Sequence, residues 1–122
     1  MIDASEIVID ASPDKNGIKN KEEIYVPKNK CAIFQGGEKE NVAEISFNAR
    51  SNFNAAKNRK YVRVVSCNTT ALCRIIKPML EYRDDLEKIS VSLIRRGADP
   101  NDLKGSALNS VEWEANSHHA HD

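Results

Sequence analysis

Short apolar segments, each followed by a turn or a polar stretch, occur throughout the first half of the chain. The three clearest are Glu6–Ala11, Cys31–Phe34 and Tyr61–Val65, and a fourth, Ala43–Asn48, is shorter and more mixed. A Ser-Pro-Asp turn follows the first segment and a Gln-Gly-Gly turn follows the second. Continuous apolar strands of this length are typical of a parallel sheet that is covered on both faces. The pattern therefore predicts three strands and a weaker fourth.

The polar stretches between these segments predict loops and short helices. Asp14–Lys21 is polar around Gly17 and indicates a loop, which opens a short helix over Lys19–Tyr25. Asn54–Arg59 is predicted to be helical or to end a helix. Strands that alternate with helical stretches favour an α/β fold.

A longer helical pattern follows the third clear strand. The helix is predicted to begin at or near Cys67, with Ser66 or Asn68 as its N-cap. Pro78 lies inside the pattern and is expected to kink the helix or to end its regular part. The apolar positions recur at helical spacing and form one stripe: Ala71, Leu72, Ile75, Ile76, Met79 and Leu80.

The last third of the chain predicts two further strands. Lys88–Ile94 alternates polar with β-branched or apolar residues and runs into Arg95. A turn is expected at 97–100, and Leu108–Trp113 is a second candidate strand.

Composition and charge narrow the possible classes of function. The 122 residues suit one domain, and 18 Lys+Arg against 18 Asp+Glu give zero net charge. Bulk positive charge for nucleic-acid binding is therefore absent. No apolar run approaches the length of about 20 residues that a membrane helix needs. The three cysteines do not suggest a disulfide framework, so a cytoplasmic, reducing compartment is predicted.

Cys67 is the strongest candidate for covalent chemistry. It lies where a predicted strand meets a predicted helix, and unpaired amide groups and the positive end of the helix dipole point at such a position. This setting favours the thiolate form that a nucleophilic cysteine needs. The alternative is that Cys67 is a buried, small apolar side chain. Cys31 and Cys73 are expected to serve packing.

Other candidate residues lie in turns and near the end of the chain. Gly36 and Gly37 follow a strand, where glycines let the backbone approach a neighbour closely. Arg95 and Arg96 follow a predicted strand, at the kind of edge where α/β sheets bind ligands; they suit a phosphate or a cofactor, or else surface ion pairs. No Gly-rich dinucleotide or nucleotide-phosphate motif occurs.

The histidines at the end of the chain do not predict a metal site. His118, His119 and His121 are tightly spaced, and no Cys or carboxylate set at zinc-ligand spacing accompanies them. A contact with substrate phosphate or a role as a base requires that the fold bring them near Cys67.

The segment SCNTT, Ser66–Thr70, resembles the active-site motif of phosphorylating glyceraldehyde-3-phosphate dehydrogenases. The longer stretch YVRVVSCNTTALCR looks like the archaeal branch of that family. The resemblance extends upstream through EIVIDASPDKNGIKNK and AIFQGGEKENVAEISFN, and downstream through IRRGADPND and SHH. It covers nearly the whole chain. Two departures are Ala71, where the archaeal pattern usually has Gly, and Ala120-His121 in place of Gly-Pro.

The resemblance implies roles for individual residues. Cys67 would be the catalytic nucleophile, and Gly37 and Arg95 would contact the cofactor, NAD or NADP. The residues expected around glyceraldehyde 3-phosphate are Ser66, Asn68, His118 and His119. The implied reaction converts glyceraldehyde 3-phosphate and inorganic phosphate to 1,3-bisphosphoglycerate, through a cysteine thiohemiacetal and a thioester. A general base is expected, but the resemblance does not identify it among these residues.

The resemblance also implies how the chain is organised. Residues 1–66 would be the C-terminal part of a dinucleotide-binding domain, the end of a Rossmann-type parallel sheet. Residues 67–122 would be the nucleophile helix and the start of an α+β catalytic domain. Because the family enzymes are longer than this chain, the chain is predicted to be an internal fragment that is inactive alone. The family enzymes are homotetramers, so the full-length protein is predicted to be one as well. Two alternatives are a related cysteine-dependent semialdehyde or erythrose-phosphate dehydrogenase, and an inactive folding or interaction module.

Overall fold

A parallel four-stranded sheet forms the centre of the computed structural model, which describes residues 1–13 and 15–94. The strands are β1 (Ile7–Asp10), β2 (Cys31–Phe34), β3 (Ile45–Phe47) and β4 (Tyr61–Val64). Their order across the sheet is β1-β2-β4-β3, and every neighbouring pair is parallel. The predicted α/β class, the three strands and the weaker fourth are confirmed; β2 has the predicted bounds and the other three strands are slightly shorter.

Short helical segments connect the strands, and one long helix follows them. One short helix is followed directly by a π-helical turn, and another by a 3-10 turn. Further 3-10 turns cover Ile2–Ala4 and Glu40–Val42. Among the described residues, no helix is long and apolar enough to cross a bilayer. The connecting and following segments are α1 (Asn16–Asn20), its π turn (Lys21–Tyr25), α2 (Ala49–Asn52), its 3-10 turn (Phe53–Ala56) and α3 (Cys67–Tyr82).

The register aligns the carboxyl ends of all four strands at one edge. Asp10 lies opposite Phe34, Phe34 opposite Arg63, and Arg63 opposite Ser46. Parallel partners point to the same face, so this row and the row two residues earlier share one side of the sheet. The loops that leave the strands therefore start side by side along the same edge.

The core lies on the face that contains Phe34. Phe34 and Val42 are completely buried, and the rings of Tyr25 and Tyr61 lie 6.2 and 6.4 Å from that of Phe34. Ala32 completes the buried cluster. These centroid separations are within the range of favourable aromatic contacts. A single layer of aromatic packing thus holds the π-helical turn against the centre of the sheet.

The opposite face is less well covered than the sequence predicted. Ile7 and Ile9 of β1 are 58% and 64% exposed, although an all-apolar strand suggested burial on both sides. The described residues place their aromatic core on one face only. The apolar stripe of α3 is similarly open, since Ile75 is 63% exposed and Leu80 is 52% exposed.

Helix α3 begins where the pattern predicted and continues further. Ser66 is the N-cap, and its Oγ accepts a hydrogen bond of 3.1 Å from the backbone N of Thr69. The helix runs through Pro78 to Tyr82, so the expectation that proline would end it is wrong.

Two local predictions need correction, whereas the alternative that a helix ends within Asn54–Arg59 holds, because the 3-10 turn Phe53–Ala56 follows α2 and ends there. Asp14–Lys21 was expected to be a loop, but α1 begins at Asn16, and the carboxylate of Glu38 accepts a hydrogen bond from the Gly17 backbone in its first turn. Lys88–Ile94 forms no strand; it is mostly exposed and pairs with no strand among the described residues. Leu108–Trp113 lies outside the described residues.

A buried carboxylate closes the end of β1. Asp10 accepts hydrogen bonds from Tyr25 Oη (2.8 Å), Asn20 Nδ2 (3.0 Å) and the backbone N of Ser12 (2.8 Å). Burial acts to raise the pKa of Asp10, but the hydrogen bonds from Asn20, Ser12 and Tyr25 outweigh it and hold that pKa below its usual range. Burial and the bond to Asp10 raise the pKa of Tyr25 to about 12. Tyr25 therefore remains a donor at neutral pH.

The substitution Asp10→Asn should make stability less sensitive to acid. A lowered native pKa stabilises the fold above the unfolded value of about 3.9, and that contribution is lost as the pH falls through the native value. The free energy of unfolding at pH 7 should drop by about 1–3 kcal/mol in the variant, because a hydrogen-bonded charge is removed. Its further drop between pH 5 and pH 3 should be smaller than that of the wild type.

Urea unfolding at each pH measures both effects. The control is Asp84→Asn, at an exposed carboxylate, which should follow the wild-type profile. An Asp10→Asn profile parallel to the wild type would contradict the assignment.

Candidate active site

The candidate residues leave the sheet from neighbouring strands. Gln35–Glu38 follows β2, and Val65–Cys67 follows β4, which lies beside β2. Because the strands are parallel, both loops leave the same edge. The structure thus places Gly37 and the three predicted residues Ser66, Cys67 and Asn68 along one edge of the sheet.

Cys67 is the first residue of α3 and is exposed. The alternative that it is a buried, small apolar side chain is therefore wrong. Cys31 and Cys73 are both half-buried. An exposed thiol at the beginning of a helix is accessible to an electrophile and lies at the positive end of the helix dipole.

Ser66 organises the first turn of α3 around this thiol. Besides the cap to the Thr69 backbone, its Oγ lies 3.0 Å from Thr69 Oγ1, and its carbonyl accepts from the backbone N of Thr70 at 2.8 Å. Thr69 is buried, whereas Asn68 is half-buried. Thr69 therefore lies on the buried side of this first turn, whereas Cys67 is exposed.

The two glycines after β2 have different surroundings. A Cβ on Gly36 would lie 2.0 Å from the carbonyl oxygen of Ser12, so this position is closed to any side chain. Gly37 has a φ of +79°, and apart from its two chain neighbours no described residue has an atom within 4 Å of where its Cβ would be. One glycine thus lets two loops pack together, and the next exposes its backbone to open space.

A pocket of about 480 Å³ lies beside the first half of α3. Arg50 and Arg74 line it together with Thr70, over an apolar wall that includes Phe47 and Val64. Arg50 Nη2 also pairs with Glu81 at 3.3 Å. The Glu81 carboxylate therefore offsets the charge of Arg50 at this pocket.

Several predicted site residues lie outside the described residues. These are Arg95, His118 and His119, together with Arg96 and His121. Within residues 1–13 and 15–94, no group of His, Cys, Asp or Glu side chains is arranged to hold a metal ion.

Besides Asp10, sequence reasoning missed two more buried charged residues at this edge. Glu38 and Arg63 are 5% and 6% exposed. Arg63 interrupts an otherwise apolar strand, YVRVV, and a charge at such a position is rarely buried unless it is paired. That interruption was the signal available in the sequence. Glu38 carried no comparable signal, because it stands in a polar turn.

Comparison with curated proteins finds relatives along the whole chain. The glyceraldehyde-3-phosphate dehydrogenase of Picrophilus torridus is 47% identical over 125 residues, which covers 100% of this chain and 36% of the relative. The protein of the same name from Thermoplasma volcanium is 46% identical over 124 residues, with the same coverage. That of Pyrobaculum arsenaticum is 46% identical over 91% of this chain and 32% of its own length. No family model matches. The chain spans about a third of the length of these relatives.

Cys67 should react with iodoacetamide faster than the other two cysteines. The thiol of Cys67 is exposed, whereas those of Cys31 and Cys73 are half-buried and less accessible. A local opening that costs about 1.4 kcal/mol would slow them about tenfold. Mass spectrometry of peptides after timed labelling gives the three rates. Cys67→Ser should remove the fast phase alone, and labelling in urea should make the rates similar. Equal rates in native buffer would contradict the exposed geometry.

The two glycines should differ in their tolerance of substitution. Gly36→Ala must displace the Ser12 backbone and should cost about 3 kcal/mol or more. Gly37→Ala meets no atom but places a side chain at positive φ, at a cost of about 1–2 kcal/mol. Gly37→Asn should be milder than Gly37→Ala, because asparagine tolerates this conformation. Urea unfolding of the three variants tests the order; equal losses at positions 36 and 37 would contradict it.

Proposed function

Because the chain belongs to the archaeal-type glyceraldehyde-3-phosphate dehydrogenase family, we propose that it carries the nucleophile of an enzyme that oxidises and phosphorylates glyceraldehyde 3-phosphate. The products are 1,3-bisphosphoglycerate and a reduced nicotinamide cofactor, NADH or NADPH. One observation supports this proposal most directly: Cys67 is exposed as the first residue of a capped helix, at the sheet edge where Gly37 lies open.

Cys67 performs the covalent step. Its thiolate attacks the aldehyde carbon of glyceraldehyde 3-phosphate and forms a thiohemiacetal. Loss of hydride to the acceptor that the cofactor would supply, and of the hydroxyl proton to a general base, leaves a thioester on Cys67. Inorganic phosphate then attacks the thioester carbon, which releases 1,3-bisphosphoglycerate and restores the thiolate. The sulfur lies at the positive end of the α3 dipole throughout this cycle.

The first turn of α3 positions the substrate. Ser66 and Asn68 flank the nucleophile and contact glyceraldehyde 3-phosphate, and His118 and His119 contribute from the later part of the chain. Ser66 acts through its place in the cap, which fixes the backbone on either side of Cys67.

Gly37 fits a cofactor that approaches closely. Its left-handed backbone and the open space around it would accept a flat ring that a Cβ would obstruct. Arg95 is the second proposed cofactor residue. The nicotinamide ring, when bound, supplies the acceptor for the hydride.

The proposal extends to domain organisation and assembly. Residues 1–66 are the C-terminal part of a dinucleotide-binding domain, and residues 67–122 begin the catalytic domain, with the boundary at the start of α3. The complete enzyme works in the cytoplasm as a homotetramer. The 122 residues alone are inactive, because they span about a third of the length of the relatives.

A chimera tests this function directly. The segment replaces the matching residues of the Picrophilus torridus relative, so that the remaining two thirds of an enzyme of this family are present. The chimera should reduce NAD or NADP in the presence of glyceraldehyde 3-phosphate and inorganic phosphate. Cys67→Ser should lower the turnover by about a thousandfold or more, as loss of a nucleophile does. Cys73→Ser, at a half-buried cysteine of the same helix, is the matched control and should retain activity.

The substrate dependence separates the proposal from its alternatives. Turnover without phosphate would refute the phosphorylating reaction. Preference for erythrose 4-phosphate or a semialdehyde would indicate the related cysteine-dependent dehydrogenases. A folded chimera with no turnover on any of these aldehydes would favour an inactive folding or interaction module.

A further inference from the structure

Two buried charged residues flank the backbone next to Gly37. Glu38 follows Gly37 directly, and Arg63 lies on the neighbouring strand β4. Burial of charge is unfavourable unless hydrogen bonds compensate for the lost water. The hydrogen bonds of Glu38 and Arg63 therefore identify the segments that these two residues hold in place.

The Glu38 side chain is bound to the start of α1. Its Oε1 accepts a hydrogen bond of 2.7 Å from the backbone N of Gly17, and both residues are buried. The fit is close, because a Cβ on Gly17 would lie 2.7 Å from the same oxygen. Any residue but glycine at position 17 would displace the carboxylate.

The Glu38 main chain is bound to the sheet. Arg63 Nη1 donates to the Glu38 carbonyl oxygen at 3.0 Å. The same guanidinium donates through Nε and Nη2 to Ser46 Oγ on β3, at 3.1 and 2.7 Å. Glu38 is thus fixed at its side chain by α1 and at its carbonyl by β4.

The other end of the loop is fixed to β1. The backbone N of Gln35 donates to the carbonyl oxygen of Asp10 at 2.7 Å, and Gly36 packs against the carbonyl oxygen of Ser12. Gly37 is therefore held on both sides, while its own surroundings are open. A backbone at positive φ is not favoured by itself, so its persistence depends on these flanking contacts.

We propose that Glu38 is a positioning residue for the nicotinamide cofactor: by accepting the Gly17 backbone hydrogen bond, it holds Gly37 in the left-handed conformation that leaves room for the cofactor. The inference rests on the proposed function. It adds a residue that does not itself touch the cofactor. Loss of the Glu38 side chain removes one of the two contacts that hold this end of the loop, leaving the Arg63 bond to the Glu38 carbonyl, and it leaves the Gly17 N–H buried without its partner.

The same chimera provides the test, with three variants. Glu38→Ala removes the acceptor. Glu38→Gln has a side chain of the same length and keeps one oxygen that can accept the Gly17 hydrogen bond. Glu40→Ala makes the same truncation two residues later, at an exposed position. Steady-state kinetics with varied cofactor at saturating aldehyde and phosphate give KM for the cofactor and kcat, and fluorescence quenching gives the cofactor Kd.

The expected result is a selective loss of cofactor affinity. Glu38→Ala should raise the cofactor KM and Kd about tenfold, as loss of one buried hydrogen bond would, with kcat changed by less than about twofold. Glu38→Gln should restore KM to within about threefold of the wild type, and Glu40→Ala should leave it unchanged. If Glu38→Ala does not assemble, Glu38→Asp, one methylene shorter, takes its place.

Three results would overturn the inference. Unchanged cofactor KM and Kd in the Ala or Asp variant would show that Glu38 serves stability alone. A Gln variant as impaired as the Ala variant would show that the hydrogen bond to Gly17 is not what matters. A wild-type chimera that binds no cofactor would refute the proposed function and this inference together. Normal turnover by the wild-type chimera, with unchanged cofactor KM and Kd in the Glu38 variants, would refute only the inference.

Discussion

Strand β2 lies parallel to β4 with Phe34 opposite Arg63, and this pairing determines where the candidate site can form. The two strands are 27 residues or more apart in sequence, yet their carboxyl ends meet at one edge. The loop with Gly37 leaves one strand, and the segment with Cys67 leaves the other. Without this pairing, the segments that contain Gly37 and Cys67 would not leave the sheet from neighbouring strands.

The apolar core and the hydrogen bonds at the strand ends stabilise this pairing in different ways. Phe34, between Tyr25 and Tyr61, fixes the middle of the sheet by apolar contact. Such contact is not directional, so it sets proximity but not the path of a loop. The hydrogen bonds of Asp10 and Arg63 act at the strand ends and are directional. They decide how the backbone continues beyond the sheet.

The two glycines show how packing and function share a short turn. Gly36 has no space for a side chain because Ser12 is too close, and Gly37 has ample space. A glycine that close packing requires is thus followed directly by a glycine that faces open space. The two residues are identical in the sequence, so only their tertiary neighbours show that Gly36 is the closely packed glycine and Gly37 the open one.

Local patterns determined the elements that are signalled by their own residues, through apolar content or a capping side chain. The strand segments were visible because apolar side chains must be buried, and the start of α3 was visible because Ser66 can cap the turn that follows it. The motif around Cys67 also indicated the family. Contacts between distant residues escaped this reasoning. Helix α1 depends on a carboxylate 21 residues away.

The predicted strand Lys88–Ile94 has the right alternation, but an alternating segment becomes a strand only when a neighbour supplies hydrogen bonds. The sequence alone therefore determined the fold class, the position of α3 and the candidate nucleophile. The tertiary structure decided which face of the sheet is covered, which glycine is open, and that Glu38 and Arg63 hold the loop. The physical reason is that burial and hydrogen-bond partners are set by residues far apart in the chain, which periodicity and spacing do not bring together.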